Sequence, residues 1–286
     1  MSSAYKYKIS VLIITYNNAS TISDCLESIK SQGMGDYEIL VMDNSSEDLT
    51  LEQIKKYDDI KVFHSKENTG FAAGMNYLSK QADGEYLFML NPDCICPNNT
   101  LETLYEFAQD HKGVISPALI YPDNTPQPSA RQLISYKNVL FSRRSPLYQM
   151  GFAKTGNAGY LILEKTARVP AVSATALFLH GKLFAQIGGF DERFFLYLED
   201  IDLCKRLNEI NADVWYLPEL KITHILGTSS SCASIKTSYY HHLSMYKYFT
   251  KHFPGNYIKN VLLLLLLAAG FTASVILKFL KPKRRK

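Results

Sequence analysis

Between residues 8 and 119 the chain alternates short apolar, β-branched runs with segments of helical spacing, and this pattern restricts the fold more than any other feature. Residues 8–15 (KISVLIIT) are apolar at nearly every position, as expected of a strand covered by helices on both faces. Residues 20–32 carry Ile22, Leu26 and Ile29 at helical spacing and end at Gly33 and Gly35. Strand signals recur at 38–42, 61–64, 86–90 and 114–119, with helical segments at 47–56, 70–81 and 99–111 between them. The pattern predicts an α/β fold with a doubly wound, mostly parallel sheet. Such sheets bind ligands at the carboxyl ends of their strands.

From Tyr121 to about Pro170 the alternation gives way to Pro, Ser, Asn and basic residues, and a stretch that long in a compact domain is more often functional than structureless. Beyond it, a strand is expected at 172–179, helices at 182–187 and 199–210, and a strand at 213–216. Residues 236–252 look helical and are crowded with aromatics, suiting either a core helix or one resting at a lipid headgroup layer.

The net charge of +4 does not mark a nucleic-acid partner. Six of the 31 basic residues (Lys278, Lys281, Lys283, Arg284, Arg285 and Lys286) lie in the last nine positions, which hold no acid. Removing them leaves 25 basic against 27 acidic residues, about −2 for the body. Just before this tail, residues 261–277 (VLLLLLLAAGFTASVIL) are free of charge and include six consecutive leucines. That is the short end of a bilayer span. Membrane attachment is expected, with the basic tail drawn to anionic lipid or acting as a positive-inside signal. A cytosolic body and a basic tail belong on the same side, so a re-entrant or surface-lying helix fits better than one full span. Met1–Tyr7 leads straight into a strand, so no secretory leader is expected. The five scattered cysteines look like reduced thiols rather than a disulfide frame, and no second Cys/His pair stands at zinc spacing from Cys94 and Cys96.

Three acidic clusters fall where ligands should bind. Asp43-Asn44-Ser45-Ser46 follows the second strand and suits ribose or base groups, or simply a turn with a helix cap. Asn91-Pro92-Asp93 ends the fourth strand and aims a hard carboxylate out of the sheet edge, where it could hold a divalent ion, although N-P-D is also a common turn. Glu199-Asp200-Ile201-Asp202 opens a helix, which its dipole alone would favour. Asp202 and Arg206 stand four apart and should pair, whereas Asp200 points roughly 200° away, so one acid is structural and another is free to face a cleft, where a carboxylate could serve as general base. The segment 68–76 (NTGFAAGMN) allows close approach at a helix start but lacks the dinucleotide fingerprint, and no phosphate-loop motif is present.

In order, V-L-I-I-T-Y-N (11–17), V-M-D-N-S-S (41–46), N-T-G-F-A-A-G-M-N (68–76), L-N-P-D (90–93), G-G-F-D-E-R-F-F-L-Y-L-E-D-I-D-L-C-K-R-L (188–207) and the H-x-x-G-x-S-like segment 224–229 resemble the family 2 glycosyltransferases of the GT-A fold, especially their rhamnosyltransferase-like branch. The resemblance spans about residues 8–250. It implies a catalytic domain over 1–235, with a nucleotide-binding half (1–120) and an acceptor half (121–235), then the aromatic helix (236–260) and the apolar segment with its basic tail (261–286). It implies a nucleotide-sugar site of Thr15, Tyr16, Asn17, Asp43, Asn68, Gly70, Asn91, Arg131 and Glu199. Tyr16 would lie beside the base, Asp43 would bond base or ribose, and Arg131, within Q-P-S-A-R, would touch the diphosphate or the acceptor. Asp93 would ligate Mg2+ or Mn2+, with His224 as a further ligand or a histidine bonded in a loop. Asp200 would be the catalytic base. One departure is Ala174-Thr175-Ala176, where relatives usually carry Gly-Ala-Ala or a similar set, and the extra methyl would narrow a substrate pocket.

The implied reaction is an inverting transfer of a sugar, rhamnose from dTDP-rhamnose or another sugar from a UDP or dTDP donor. The acceptor would be a cell-surface glycan or one carried on a polyprenyl diphosphate, at the cytoplasmic face of the cell membrane. Two other readings are a catalytically silent nucleotide-sugar-binding protein and a nucleotidyltransferase. The latter would want a basic, Gly-rich loop where Thr15-Tyr16-Asn17-Asn18 stands.

Overall fold

A computed structural model describes residues 5–140, 159–225 and 235–280. Its first half follows the expected alternation. Strands β1 (Tyr7–Thr15), β2 (Tyr37–Asp43), β3 (Lys61–His64) and β4 (Gly84–Leu90) are linked by helices α1 (Ile22–Lys30), α2 (Thr50–Ile54) and α3 (Phe71–Gln81). They lie parallel in the order β3-β2-β1-β4, with Thr15 beside Asp43, Asp43 beside His64 and Ile13 beside Leu90. This register brings the four carboxyl ends level. Side chains alternate across β1, Ile9, Val11 and Ile13 joining one buried layer and Leu12 and Ile14 the other.

The second half is less regular. It runs through β5 (Cys94–Ile95), α4 (Thr100–Asp110), β6 (Val114–Ile120), β7 (Pro126–Gln127), β8 (Ala130–Arg131), α5 (Tyr136–Leu140), β9 (Ala167–Arg168), β10 (Ala171–Val172), β11 (Ala176–His180), α6 (Gly181–Gln186), α7 (Glu199–Glu209), β12 (Val214–His224), α8 (Ile235–His252) and α9 (Tyr257–Leu280). The sheet has ten strands in the main order β3-β2-β1-β4-β11-β6-β12-β5, with β7 on β6 and β9 on β12. It is mixed, because β11 inserts antiparallel between β4 and β6, Phe178 facing Phe88 on one side and Ile115 on the other.

Two expected strands change shape. The strand foreseen at 172–179 breaks at Ser173–Thr175, where Ser173 Oγ lies 2.8 Å from Thr175 Oγ1 and takes the Thr175 N–H at 3.3 Å. Such hydroxyls compete with the ladder for backbone groups. β10 therefore leaves the main sheet for a two-stranded ribbon with β8. The strand foreseen at 213–216 instead continues to His224, passing Pro218 through a register shift between Leu217 and Lys221. Proline cannot donate to the ladder, so an irregularity there is the means of continuing.

The aromatic helix α8 buries Tyr248 and Phe249 completely in the core, while Tyr239 stays exposed. α9 buries a narrow stripe of Asn260, Leu263 and Leu267 and leaves Ile258, Val261, Leu262, Leu264, Leu265 and Ile276 exposed. Among the described residues no helix is long and apolar enough to cross a membrane. The basic tail at 281–286, Cys232, residues 141–158 of the long loop and positions 226–229 of the H-x-x-G-x-S segment lie outside the described residues.

Candidate active site

The carboxyl ends of β1, β2 and β3 bring a first group of polar residues together. Asp43, the last residue of β2, is fully buried. Its Oδ2 accepts the Ser46 N–H at 3.2 Å and meets His64 Nδ1 at 3.0 Å, while its Oδ1 is buried with no partner. An orphaned buried acceptor costs about 1–3 kcal/mol, which a ligand N–H or O–H would recover. Thr15 Oγ1 and the Tyr16 N–H both donate to Asn18 Oδ1, at 3.2 and 3.0 Å. Asn17 adopts a left-handed φ of 55° and is held by Ser46 Oγ at 2.9 Å and by the Glu47 N–H, which its Oδ1 accepts at 2.8 Å.

Asn44 joins these ends to the start of α3. Its N–H donates to Thr15 O at 2.8 Å, and its Nδ2 donates to Asn68 Oδ1 at 3.1 Å and Gly70 O at 3.3 Å. Its Oδ1 accepts the Thr69 N–H at 3.0 Å. Gly70 is required where it stands: φ is +84°, and a Cβ would lie 2.5 Å from Phe195 O. Asn44 stands in the sequence only as a member of the 43–46 cluster, and His64 only as the end of the third strand. His64 was within reach, since strands of equal height must bring the end of the third beside the end of the second.

A second group lies at the β4–β5 turn. The Asn91 N–H donates to Thr175 O at 2.9 Å, and Asn91 O accepts the Cys94 N–H at 3.2 Å. Asp93 and His224 are both buried, with Asp93 Oδ1 3.2 Å from His224 Nε2 and His224 Nδ1 2.9 Å from Gln127 Oε1. When Nδ1 donates to Gln127, the neutral ring turns its Nε2 lone pair towards a carboxylate, so this pair needs a proton or a cation between them. Ligand atoms of Asp93, Cys94 and His224 lie within 4.8 Å of one another. The oxygen and nitrogen donors fit a divalent ion with open positions for phosphate oxygens. Burial, aided by the Asp93 charge, pushes the Cys94 thiol well up, so sulfur is the weakest donor of the three. Cys96, considered alongside Cys94 in the sequence, is not part of this group.

The third group opens α7. Tyr197 and Leu198 both have left-handed φ angles, 69° and 68°. Each costs about 1–2 kcal/mol and persists only where the surroundings impose it. Here Ser244 Oγ donates to Leu196 O at 2.9 Å, Tyr240 stacks on Phe195 at 4.3 Å, and the Phe71 N–H donates to Phe195 O at 3.2 Å. The reversal delivers Asp200 into the protein. Its Oδ1 takes the Ile201 N–H at 2.7 Å, and the carboxylate also accepts from the Ala174 N–H. Burial raises its pKa against the opposing effects of the Arg131 charge and these N–H groups. Glu199 Oε2 is buried without a partner, and burial together with the Asp200 charge pushes Glu199 up to about 8. Asp202 does pair with Arg206, at 2.9 Å, and also meets His252 Nε2 at 2.7 Å and Lys251 Nζ at 2.5 Å. Burial alone would raise its pKa, but these partners win and lower it.

The three groups share one edge. Asp200 is bonded to Ala174, the next residue's carbonyl holds Asn91, and Asn91 opens the turn that carries Asp93. Arg131 stands with Asp200, not with the β1–β3 ends: it lies on β8, and its guanidinium covers the Tyr160 ring at 5.2 Å. Of the residues expected to line the site, Thr15, Tyr16, Asn17, Asp43, Asn68 and Gly70 come together at the first group, Asn91, Asp93 and His224 at the second, and Arg131, Glu199 and Asp200 at the third.

A mixed sheet that gathers such acids along its carboxyl edge is the architecture of the GT-A nucleotide-sugar transferases. The family model of glycosyl transferase family 2 matches residues 10–162, and the chain belongs to that family and is a nucleotide-sugar-dependent glycosyltransferase. It is 24% identical to the N-acetylglucosaminyl-diphospho-decaprenol L-rhamnosyltransferase of Mycobacterium tuberculosis, covering 86% of this chain and 85% of that one. It is 25% identical to the rhamnosyltransferase WbbL of Escherichia coli, covering 84% and 92%. Its fold is similar to that of GalNAc-T7 solved with UDP, GalNAc and Mn2+ (TM-score 0.60, 18% identity, 82% of this chain and 47% of that one). It is also similar to residues 1–349 of Staphylococcus aureus TarS solved with UDP (TM-score 0.54, 19% identity, 83% and 65%). The chain therefore spans less than two thirds of either solved structure.

Proposed function

We propose that this chain is an inverting rhamnosyltransferase that takes rhamnose from dTDP-rhamnose and delivers it to a glycan acceptor carried on a polyprenyl diphosphate. The two rhamnosyltransferase relatives that match along most of their length support the sugar, and the diphospho-decaprenol acceptor in one of their names supports the acceptor. The observation that supports the chemistry is the backbone at Ala174–Thr175, where the Ala174 N–H acts on the Asp200 carboxylate and the Thr175 carbonyl accepts the Asn91 N–H at the turn that bears Asp93.

In this reading Asp43 Oδ1 accepts from the base or ribose, Tyr16 lies beside the base, and Asn44 holds the pocket walls in register. Asp93 and His224 would hold Mg2+ or Mn2+, whose charge offsets that gathering on the departing nucleoside diphosphate. Asp200 accepts the proton of an acceptor hydroxyl while that oxygen bonds to the anomeric carbon and the carbon–oxygen bond to the diphosphate breaks on the opposite face. Desolvation raises the pKa of Asp200, which makes it a stronger proton acceptor than a solvated carboxylate, and the Arg131 charge opposes that rise.

The same reading puts the protein on the cytoplasmic face of the cell membrane, attached through α9. The exposed leucines of α9 and the basic residues that end the sequence support attachment along the surface. The test is mass spectrometry of products from purified enzyme offered a panel of nucleotide sugars, a divalent ion and a lipid-linked acceptor. A product heavier by one deoxyhexose, formed from dTDP-rhamnose alone, is expected. A product built from another sugar would reject the donor assignment.

A further inference from the structure

Arg131 is a half-buried cation with a buried Nε that the transfer chemistry above does not fully use. It sits on β8, whose ribbon partner β10 lies at the start of the segment leading to Ala174, the residue that donates to Asp200. Its position is fixed: the Gln132 N–H donates to Gly159 O at 2.7 Å, the Leu161 N–H donates to Ala130 O at 2.9 Å, and Arg131 bridges to Tyr160 in an antiparallel register. One face of the guanidinium is covered by the Tyr160 ring. Its Nε is buried and has no hydrogen-bond partner, and among the described residues Arg131 forms no ion pair within 4 Å. The groups that feel its charge are Asp200 and Cys204 of the acceptor half and Tyr248 of α8, and none belongs to the Asp43 or Asp93 groups.

A guanidinium held flat against an aromatic ring offers its edge, and an edge that includes Nε matches two oxygens of a phosphate. A neutral sugar hydroxyl would satisfy Nε but would leave the charge uncompensated. Because Asp200 must touch the acceptor hydroxyl that reacts and feels the Arg131 charge, a group bound at Arg131 belongs to the same acceptor. We infer that Arg131 and Tyr160 form an anion subsite for the acceptor, one that grips a phosphate at the reducing end of the acceptor sugar and so selects sugar phosphates of lipid carriers over uncharged glycosides. This assignment rests on the transferase reading. It places Arg131 on the acceptor rather than on the donor diphosphate.

The experiment compares two acceptors that differ only in charge: one sugar linked through a diphosphate to a short prenyl chain, and the same sugar as an uncharged prenyl glycoside. With the full chain, kcat/KM for each is measured at saturating donor, together with the KM for the donor. The unaltered protein should prefer the diphosphate acceptor. Arg131→Gln should shrink that preference by about ten- to a hundredfold, the range lost when a hydrogen-bonded charge is removed, and Arg131→Lys should keep part of it. Using the ratio cancels any effect of Arg131 on Asp200, since that effect is common to both acceptors. A preference unchanged in Arg131→Gln, or a loss that appears as a raised donor KM with both acceptors, would overturn the assignment. Should Arg131→Gln not melt cooperatively, two results still decide. An unaltered protein indifferent to the phosphate, or an Arg131→Lys ratio equal to the unaltered one, counts against the subsite. Failure of the unaltered protein to glycosylate either acceptor would instead sink the transferase reading itself.

Discussion

Replacing Asp202 with asparagine removes a negative charge shared by Arg206, Lys251 and His252, of which Lys251 alone keeps a close second carboxylate, Asp191 at 2.7 Å. The Asp202 carboxylate is fully buried and meets Arg206 Nε at 2.9 Å, Lys251 Nζ at 2.5 Å and His252 Nε2 at 2.7 Å. Of these partners only Arg206 lies on the same helix, while Lys251 and His252 come from α8. Were the cluster exposed, its loss would matter by less than about 1 kcal/mol. Removing one partner of a buried pair costs about 3–5 kcal/mol, and asparagine keeps the shape and one acceptor, so the low end applies. At about 2–4 °C per kcal/mol for a domain of this size, the melting temperature should fall by about 6–12 °C near neutral pH. The pH dependence has a definite sign. Because the folded state lowers the Asp202 pKa, its contribution is complete above the unfolded value near ~3.9 and disappears as pH falls through the folded one. Thermal melts of the two proteins, followed by tryptophan fluorescence across acid and neutral pH, should therefore converge in acid. A melting point within about 1 °C of the unaltered protein at pH 7, or a gap that widens in acid, would refute the reasoning.

Three further outcomes are expected. Asp43→Ala should weaken binding of the donor's nucleoside diphosphate by about ten- to a hundredfold in calorimetry, because the orphaned Oδ1 is lost; unchanged affinity would remove Asp43 from the pocket. Gln127→Ala, which frees the His224 ring without touching either candidate ligand, should weaken Mn2+ binding by about ten- to a hundredfold in a metal titration by electron paramagnetic resonance. Leu262→Glu with Leu265→Glu, both on the exposed side of α9, should abolish sedimentation with anionic lipid vesicles while leaving the melting point unchanged; vesicle binding that survives would reject α9 as the attachment surface.

Much of the first half was legible because each of its strands is followed by its own helix, and each strand end announces itself with a polar residue. Asp43 and Asp93 are found this way, from local pattern alone. The second half hides its pairing. Residues 176–180 (ALFLH) are as apolar as a parallel strand because both faces are covered, and nothing local shows that β11 runs against β4 and β6. The strand expected at 213–216 continues through Pro218 to His224, which no local pattern shows. The polar partners of the site are the least visible: Gln127 reaches His224 across 97 residues, and Ala174 reaches Asp200 from the far side of a loop. The aromatic crowding of α8 could not distinguish a core from a lipid surface, since Tyr248 and Phe249 look no different in sequence from the exposed Tyr239.

The central claim is that Asp200 accepts the proton of the attacking hydroxyl. Asparagine keeps its size and its ability to accept from the Ala174 and Ile201 N–H groups, and removes only the basicity. The initial rate of sugar transfer by Asp200→Asn, at saturating donor and acceptor, should be about 100- to 10,000-fold below that of the unaltered protein, with nucleotide affinity and melting point retained. Turnover within about threefold of the unaltered rate would contradict the assignment and require another base.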